Sequence, residues 1–412
     1  MTDISIHSDC DSTPGTDTRH NAERTAPLSS LSLCHSLSVT LSATLSTPFP
    51  AVAILMSKAL IISAVKTLDT VGSLQHCLAL EQQIEQLGVE ILQLQIDPLS
   101  TDWHSPEAPL HFRSGCAPIE AAAHAKALID QGQQAVLICG EDKLKTDYSR
   151  QQRLENMEVY GADLPVTQAY TDLSQHFLAQ HQLDEPGFRD IAQALFENYS
   201  LSYRDALGDD FALEQLPDAR WYQPITSLFR GVDCANPLID FKGRLLIVSE
   251  SLARQLKCAP EQMLELHAVG LGRLPHDGPE HIEMIARYDH LRDAYQQCCL
   301  DSGVDFAEVF KRGEALLEVY TCFPVVPMAF LLTSGLVETV QQIPEFLTRH
   351  RITVTGGMNL ARAPWNNPAL NALISMHHDL LNGEQQHGMV HGNGGLGYRQ
   401  GVALLSKVAP QP

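Results

Sequence analysis

From residue 59 onward, apolar runs and amphipathic stretches alternate along the chain. Residues 59–65 form a short continuous apolar run, the pattern of a buried strand. Residues 74–87 carry apolar positions at helical spacing, and 89–96 read as a second strand. Residues 111–115 end in a Ser-Gly turn that leads into an Ala-rich helix over 118–130, opened by Pro118, a favoured first helical residue. A short apolar strand follows at 135–139. This alternation predicts an α/β architecture with a largely parallel sheet covered on both faces.

The pattern changes between residues 141 and 232. That region is more polar, mostly helical and poor in buried-strand signals, so it reads as an inserted helical or loop subdomain. Strand patterning returns at 245–248, followed by a helix through 256 and a strand at 263–271. A long helix is predicted over 279–300 and a strand over 315–320. Helices over 325–336 and 338–349 follow, then a strand at 352–355, a helix at 368–381, and strands at 388–391 and 402–405.

Residues 1–55 are unlike the remainder. They contain 18 Ser or Thr, and no charged residue occurs between Thr25 and Ser57. Serines interrupt every window long enough to span a bilayer, and the start lacks the basic n-region of a signal peptide. The expectation is a low-complexity, disordered leader. Met56, followed by a short polar pair and an apolar strand, has the look of a natural start.

Composition narrows the function classes. There are 28 Lys+Arg against 49 Asp+Glu, a formal net charge of −21. That disfavours nucleic acid and anionic membrane as partners, since both need a basic face. Only two basic and five acidic residues fall in 1–55, so the acidity belongs to the folded part. Ten scattered cysteines without a CxxC pair read as free thiols in a cytoplasmic protein. No HExxH or similar metal motif occurs, and no glycine-rich stretch has the strand–GxGxxG–helix context of a dinucleotide site. Adjacent Cys298 and Cys299 read as packing residues, His377-His378 as a helix-surface pair and Asn366-Asn367 as caps of the next helix.

Four segments, in order over residues 110–405, resemble the thiolase superfamily, and within it the divergent acetyl-CoA acetyltransferase-like, sterol-carrier-type branch. The first is Arg113-Ser114-Gly115-Cys116 leading into the Ala-rich helix. The second is Glu318-Val319-Tyr320-Thr321-Cys322-Phe323-Pro324. The third is Thr353-Val354-Thr355-Gly356-Gly357-Met358, continuing to Ala363-Pro364-Trp365-Asn366-Asn367. The fourth is His391-Gly392-Asn393-Gly394-Gly395.

The resemblance implies two similar βαβαβαββ halves packed as α-β-α-β-α layers, with the insertion covering a coenzyme A tunnel. It divides the chain into a leader (1–55), an N-terminal half (56–258, with 141–232 inserted) and a C-terminal half (259–412). The stretch before Gly115 is short for the superfamily, which implies a missing helix or strand. An acyl-CoA substrate, no permanently bound cofactor, a homodimer and a small OB-fold, zinc-ribbon partner are further implications.

Thiolase chemistry needs a thiolate at a helix start, an oxyanion site and a second cysteine to move the proton. Aligned on Ser114-Gly115, the nucleophile position falls on Phe112, the Gly-His-Pro histidine on Ala363 and the second cysteine on His391. Tyr320 takes the place of the middle motif's asparagine. The candidate catalytic residues are therefore His391 as acid or base, Tyr320 as hydrogen-bond or proton donor, and Cys116 as a displaced nucleophile, weighed against simple packing for each. Gly356, Gly357, Asn393, Gly394 and Gly395 are the candidate substrate-binding turns, because small residues let the backbone approach a ligand. Cys322 reads as a packed thiol. Arg362 reads either as a phosphate contact or as a surface charge. The implied activity is an acyl-CoA acyltransferase of lipid metabolism. A CoA-linked retro-aldol lyase and a non-catalytic acyl-CoA-binding scaffold are the alternatives.

Overall fold

A computed structural model describes residues 58–213 and 216–409. The expected leader and the Met56 start lie outside the described residues.

The N-terminal half runs β1 (Ala59–Leu68), β2 (Val71–Gly72), α1 (Gln75–Gln86), β3 (Ile91–Ile96), β4 (His111–Phe112), α2 (Ala117–Asp130) and β5 (Ala135–Lys143). The insertion contributes α3 (Arg150–Asn156), α4 (Val166–Gln180) and α5 (Glu185–Leu207) before β6 (Asp240–Ser249) and α6 (Glu250–Gln255) return to the sheet. The C-terminal half runs β7 (Leu264–Arg273), α7 (Ile282–Ile285), α8 (Asp289–Ser302), α9 (Phe306–Lys311), β8 (Ala315–Glu318), α10 (Val325–Thr333), α11 (Ile343–Arg349), α12 (Pro368–Asn382), β9 (His387–Gly394) and β10 (Arg399–Lys407).

The strands make one sheet in the order β4-β3-β5-β6-β1-β7-β10-β9-β8, with β2 folded back on β1. The order exposes the duplication. Reading outward from the β1–β7 seam, each half places its first strand, its last strand and then its penultimate strand. In each half the last strand is antiparallel to both neighbours, and the strands beyond pair in parallel, so the sheet is mixed, with six antiparallel pairings against three parallel, rather than largely parallel as the alternation predicted. The halves join where Leu60 and Ile61 pair with Glu265 and Leu264.

Three clusters define the layers. α2 and α12 pack on strands of both halves and bury Ile119, Leu370 and Leu373 with Ile138, Ile247, Leu266 and Leu405. α1 and α6 cover the outer face of the N-terminal half around Leu60, Ile84 and Leu246. The third and largest cluster sits outside the C-terminal half, where α8 and α10 meet α4 and α5 of the insertion. The result is the expected five-layer α-β-α-β-α arrangement. Burial of this apolar area is the dominant stabilising contribution, at about 25 cal/mol per Å².

Several elements differ from expectation. The 352–355 segment is not a strand: it keeps one ladder-like bond, Val319 N–H to the Ile352 carbonyl at 2.9 Å, and then turns away. Glu318 causes the turn. Its carboxylate accepts from the Val354 N–H, from the Thr355 N–H at 2.9 Å and from the Thr355 hydroxyl, so a side chain takes the donors that a strand would have used. The long helix of 279–300 breaks after Ile285, and Tyr288 adopts a left-handed φ of 51° before α8 begins. Between β3 and β4 the chain crosses without a helix. His377 is buried among core residues of α12 rather than paired with His378 on the surface, and burial pushes it down to about 4. Asn367 occupies the cap position of α12 but makes no side-chain cap bond. Asn366 instead donates to the Asp97 carbonyl at 2.9 Å.

Candidate active site

The parallel pairing of β8 with β9 places Glu318 opposite Val390. Tyr320, two residues beyond β8, therefore arrives beside His391. The Tyr320 N–H donates to His391 Nδ1 at 3.4 Å, and His391 Nε2 meets Gln400 Oε1 at 2.8 Å across the β9–β10 hairpin. Since Nδ1 accepts, the ring's proton sits on Nε2. Burial pushes this histidine down to about 4, so it is neutral with both nitrogens engaged.

The polar chain continues inward. Gln400 Nε2 donates to Asn393 Oδ1 at 2.6 Å. Asn393 Nδ2 donates to the Tyr170 hydroxyl oxygen at 3.0 Å, and the Tyr170 hydroxyl donates in turn to the Gly395 carbonyl at 2.6 Å. The Cys322 thiol also donates to the Tyr170 oxygen, at 3.5 Å. Each of these buried groups has a partner, so the network holds one geometry. It links the C-terminal hairpin to α4 of the insertion.

This network borders a cleft of about 480 Å³, within the ordinary range for small-molecule sites of roughly 300–1,000 Å³. Its walls are mostly apolar. Leu154, Met157 and Val166 come from the insertion, Trp103 from the β3–β4 crossing, and Phe323 and Trp365 from the C-terminal half. The insertion thus closes one side of the cleft. Among the described residues no cluster of three or more His, Cys, Asp or Glu is arranged to hold a metal.

Tyr320 reaches the floor of the cleft. Its hydroxyl lies against the turn before α2, where Gly115 leaves it room: a Cβ on Gly115 would meet the hydroxyl oxygen at 2.0 Å and the Asn393 carbonyl at 2.4 Å. The hydroxyl makes no hydrogen bond among the described residues. Burial pushes the phenol well above its usual value, so it holds its proton. A neutral phenol facing an apolar cleft can donate to a developing oxyanion, or give up a proton and regain one.

The other expected residues divide. Asn393 and Gly395 line the cleft with Tyr320. Gly394 faces Ser114, where a Cβ would lie 2.5 Å from its hydroxyl. Gly356 and Gly357 sit in a left-handed turn (φ 85° and 74°) packed on Tyr203 and Thr321, so they shape the loop after Glu318 and do not border the cleft.

Cys116 corrects the expectation of a displaced nucleophile. It occupies the cap position of α2 but is fully buried, and its sulfur faces Gly401 of β10. Desolvation and the nearby Glu120 push its thiol well up, the opposite of an activated thiolate. His391 likewise offers no free nitrogen. Phe112 in β4 and Ala363 in a small recess beside Tyr320 and His391 stand where the resemblance to thiolases would place the nucleophile and the histidine, and neither is a reactive group.

Tyr170 and Gln400 belong to the site but carry no sequence signal. Tyr170 lies on an ordinary amphipathic helix, and Gln400 sits five residues beyond the glycine turn. Cys322, a packing residue by its sequence context, does border the cleft, yet burial raises its thiol to about 12.

No family model matches this chain, and no curated protein matches it. Solved structures do. A monomeric SCP2-thiolase-like protein type 1 from Mycobacterium smegmatis superposes with a TM-score of 0.61 at 16% identity, over 86% of this chain and 78% of the other. The Ltp2–ChsH2(DUF35) aldolase superposes with a TM-score of 0.59 at 14% identity, over 87% of this chain and 100% of the other. Strand order, layer arrangement and these superpositions agree: the chain has the fold of the SCP2-thiolase-like proteins.

Proposed function

We propose that this chain is a carbon–carbon lyase that cleaves a β-hydroxyacyl thioester of coenzyme A by a retro-aldol reaction. The observation that carries this reading is the Tyr320 hydroxyl, protonated and without a partner at the floor of an apolar cleft, while Cys116 and His391 are withdrawn from it. The bond between the α- and β-carbons breaks, and its electron pair moves into the thioester as an enolate. The β-carbon leaves as an aldehyde or ketone. Tyr320 gives its proton to the α-carbon and regains one from the β-hydroxyl, so the net change is one proton moved from oxygen to carbon.

An acyltransferase of the thiolase type needs a thiol to carry the acyl group. The two thiols bordering the cleft, Cys234 and Cys322, are both pushed up by burial, and no basic group among the described residues lowers either of them. The similarity to a structure named an aldolase supports the lyase reading, and the two-component name of that structure extends the proposal to a small partner subunit. A homodimer stands as a further proposal. No described helix is long and apolar enough to cross a membrane.

The test is incubation with a series of β-hydroxyacyl-CoA esters, read by chromatography of CoA esters and by intact mass of the protein. The lyase releases a shortened acyl-CoA with no protein adduct. A stable acyl adduct on a cysteine supports the acyltransferase instead.

A further inference from the structure

The hydroxyl of Ser406 is met by a histidine from each neighbouring strand. Ser406 lies on β10, opposite Glu265 of β7 and opposite His387 of β9. The β7–β10 ladder steps from Ala268 opposite Leu404 to Leu266 opposite Leu405, so His267 is the extra residue of a β-bulge. A bulge re-aims a side chain, and this one brings His267 Nδ1 to 3.0 Å from the Ser406 oxygen. His387 brings its own Nδ1 to 2.8 Å from the same oxygen. Ser406 is buried and the two rings are half-buried, so an ion can enter from solvent. The cluster is remote from the cleft: none of the three residues lines it, and the stretch of β9 from His387 to Asn393 spans about 20 Å. The nearby carboxylates are already engaged, Glu265 by Lys58 at 2.6 Å and Glu314 by Arg312 at 2.8 Å.

The convergence has a chemical consequence. As neutral rings, one histidine accepts the Ser406 proton while the other donates its own Nδ1 proton to the same oxygen, so the two must hold opposite tautomers. A cation between the rings removes that conflict, because both then present a lone pair at Nδ1 and carry the proton on Nε2. Imidazole nitrogen suits zinc, copper and nickel, and is a poor ligand for magnesium or calcium. We propose that His267 and His387, with the Ser406 hydroxyl, bind a divalent transition-metal ion of the zinc type through their Nδ1 atoms, with water completing the coordination. The ion ties β7, β10 and β9 together at the end of the sheet away from the cleft. The proposal does not depend on the reaction assigned to the cleft.

Calorimetric titration of the full chain with zinc chloride, its thiols kept reduced, gives saturable binding of one ion, and magnesium chloride gives none. His267→Gln and His387→Gln each lower the zinc affinity tenfold or more. Zinc raises the Tm of the wild type, since it binds the folded chain, and leaves the Tm of both variants where it was. A reading on the wild type alone guards against a variant that folds poorly: in the nitrogen spectrum of histidine-labelled protein, zinc shifts the Nδ1 resonances of two imidazoles and leaves their Nε2 resonances nearly in place. Absence of saturable zinc binding overturns the proposal. So does unchanged zinc affinity in both variants, which would place the ion elsewhere, or a zinc shift confined to Nε2 atoms.

Discussion

Gly115 and Tyr320 touch across the two halves of the fold: one ends the turn before α2, the other follows β8, and the phenol hydroxyl fills the space where a Gly115 side chain would stand. The Asn393 carbonyl closes the other side of that space, so the ring cannot be accommodated by a small shift of backbone. Gly115→Ala is therefore expected to displace Tyr320 and to lower lyase activity by about two orders of magnitude or more. Overpacking of this kind costs about 1–3 kcal/mol of stability, so the folded protein persists. Activity and thermal melting measured on the same sample check both parts.

Cys116 sits one residue further on and faces the opposite way. Cys116→Ala is expected to keep activity within about twofold, and its cost is confined to a small loss of buried area, on the order of 1 kcal/mol. Loss of turnover in this variant, with an acyl adduct on the wild-type thiol, would return the nucleophile to Cys116.

His391 makes a prediction about pH. Its folded value of about 4 lies below the unfolded value of about 6.5, so between those values the unfolded chain binds the extra proton. Its contribution to stability is complete above about pH 6.5 and is lost as pH falls towards 4, at up to about 1.4 kcal/mol per pH unit. Buried carboxyls oppose this slope over the same range, Glu318 being raised to about 7 and Asp142 to about 6. The comparison of wild type with His391→Gln isolates the histidine. Denaturant unfolding at pH 4.5 and 7 should show the variant losing less stability on acidification than the wild type. Equal losses would mean that the ring is not held neutral.

Glu318 explains why part of the site was not legible. The pattern of 352–355 is apolar and β-branched, and by local preference it is a strand. The carboxylate of Glu318, a long way back in sequence, takes its donors and turns it into the loop that carries Gly356, Gly357 and Met358. Glu318→Ala leaves the Val354 and Thr355 N–H groups without their acceptor, so it should cost about 1–3 kcal/mol, read by chemical unfolding at pH 7.

Other parts were legible because the information was local. The alternation of strands with helices announces an α/β chain, and the motif segments, through their resemblance to the thiolase superfamily, imply the layered fold and single out Tyr320, Asn393 and Gly395, all three of which border the cleft. What a sequence pattern withholds is direction. Cys116 and Gly115 are neighbours, yet only Gly115 borders the cleft. His391 stands where an acid or base is expected, but Gln400 and the Tyr320 N–H occupy both its nitrogens. Tyr170 enters from the insertion, more than two hundred residues from its partners Asn393 and Gly395, and no local pattern announces such a contact.

The central claim is that the Tyr320 hydroxyl performs the chemistry, and Tyr320→Phe removes that oxygen alone. The ring keeps its packing, and the hydroxyl has no partner among the described residues to leave unpaired, so melting should be unchanged. Turnover of a β-hydroxyacyl-CoA to a shortened acyl-CoA and a carbonyl product, measured for wild type and Tyr320→Phe at saturating substrate, is the most direct test. The account predicts cleavage by the wild type and turnover slowed by about two orders of magnitude or more in the variant, with KM little changed. Equal turnover by the two proteins, or no cleavage by the wild type across the ester series, would contradict it.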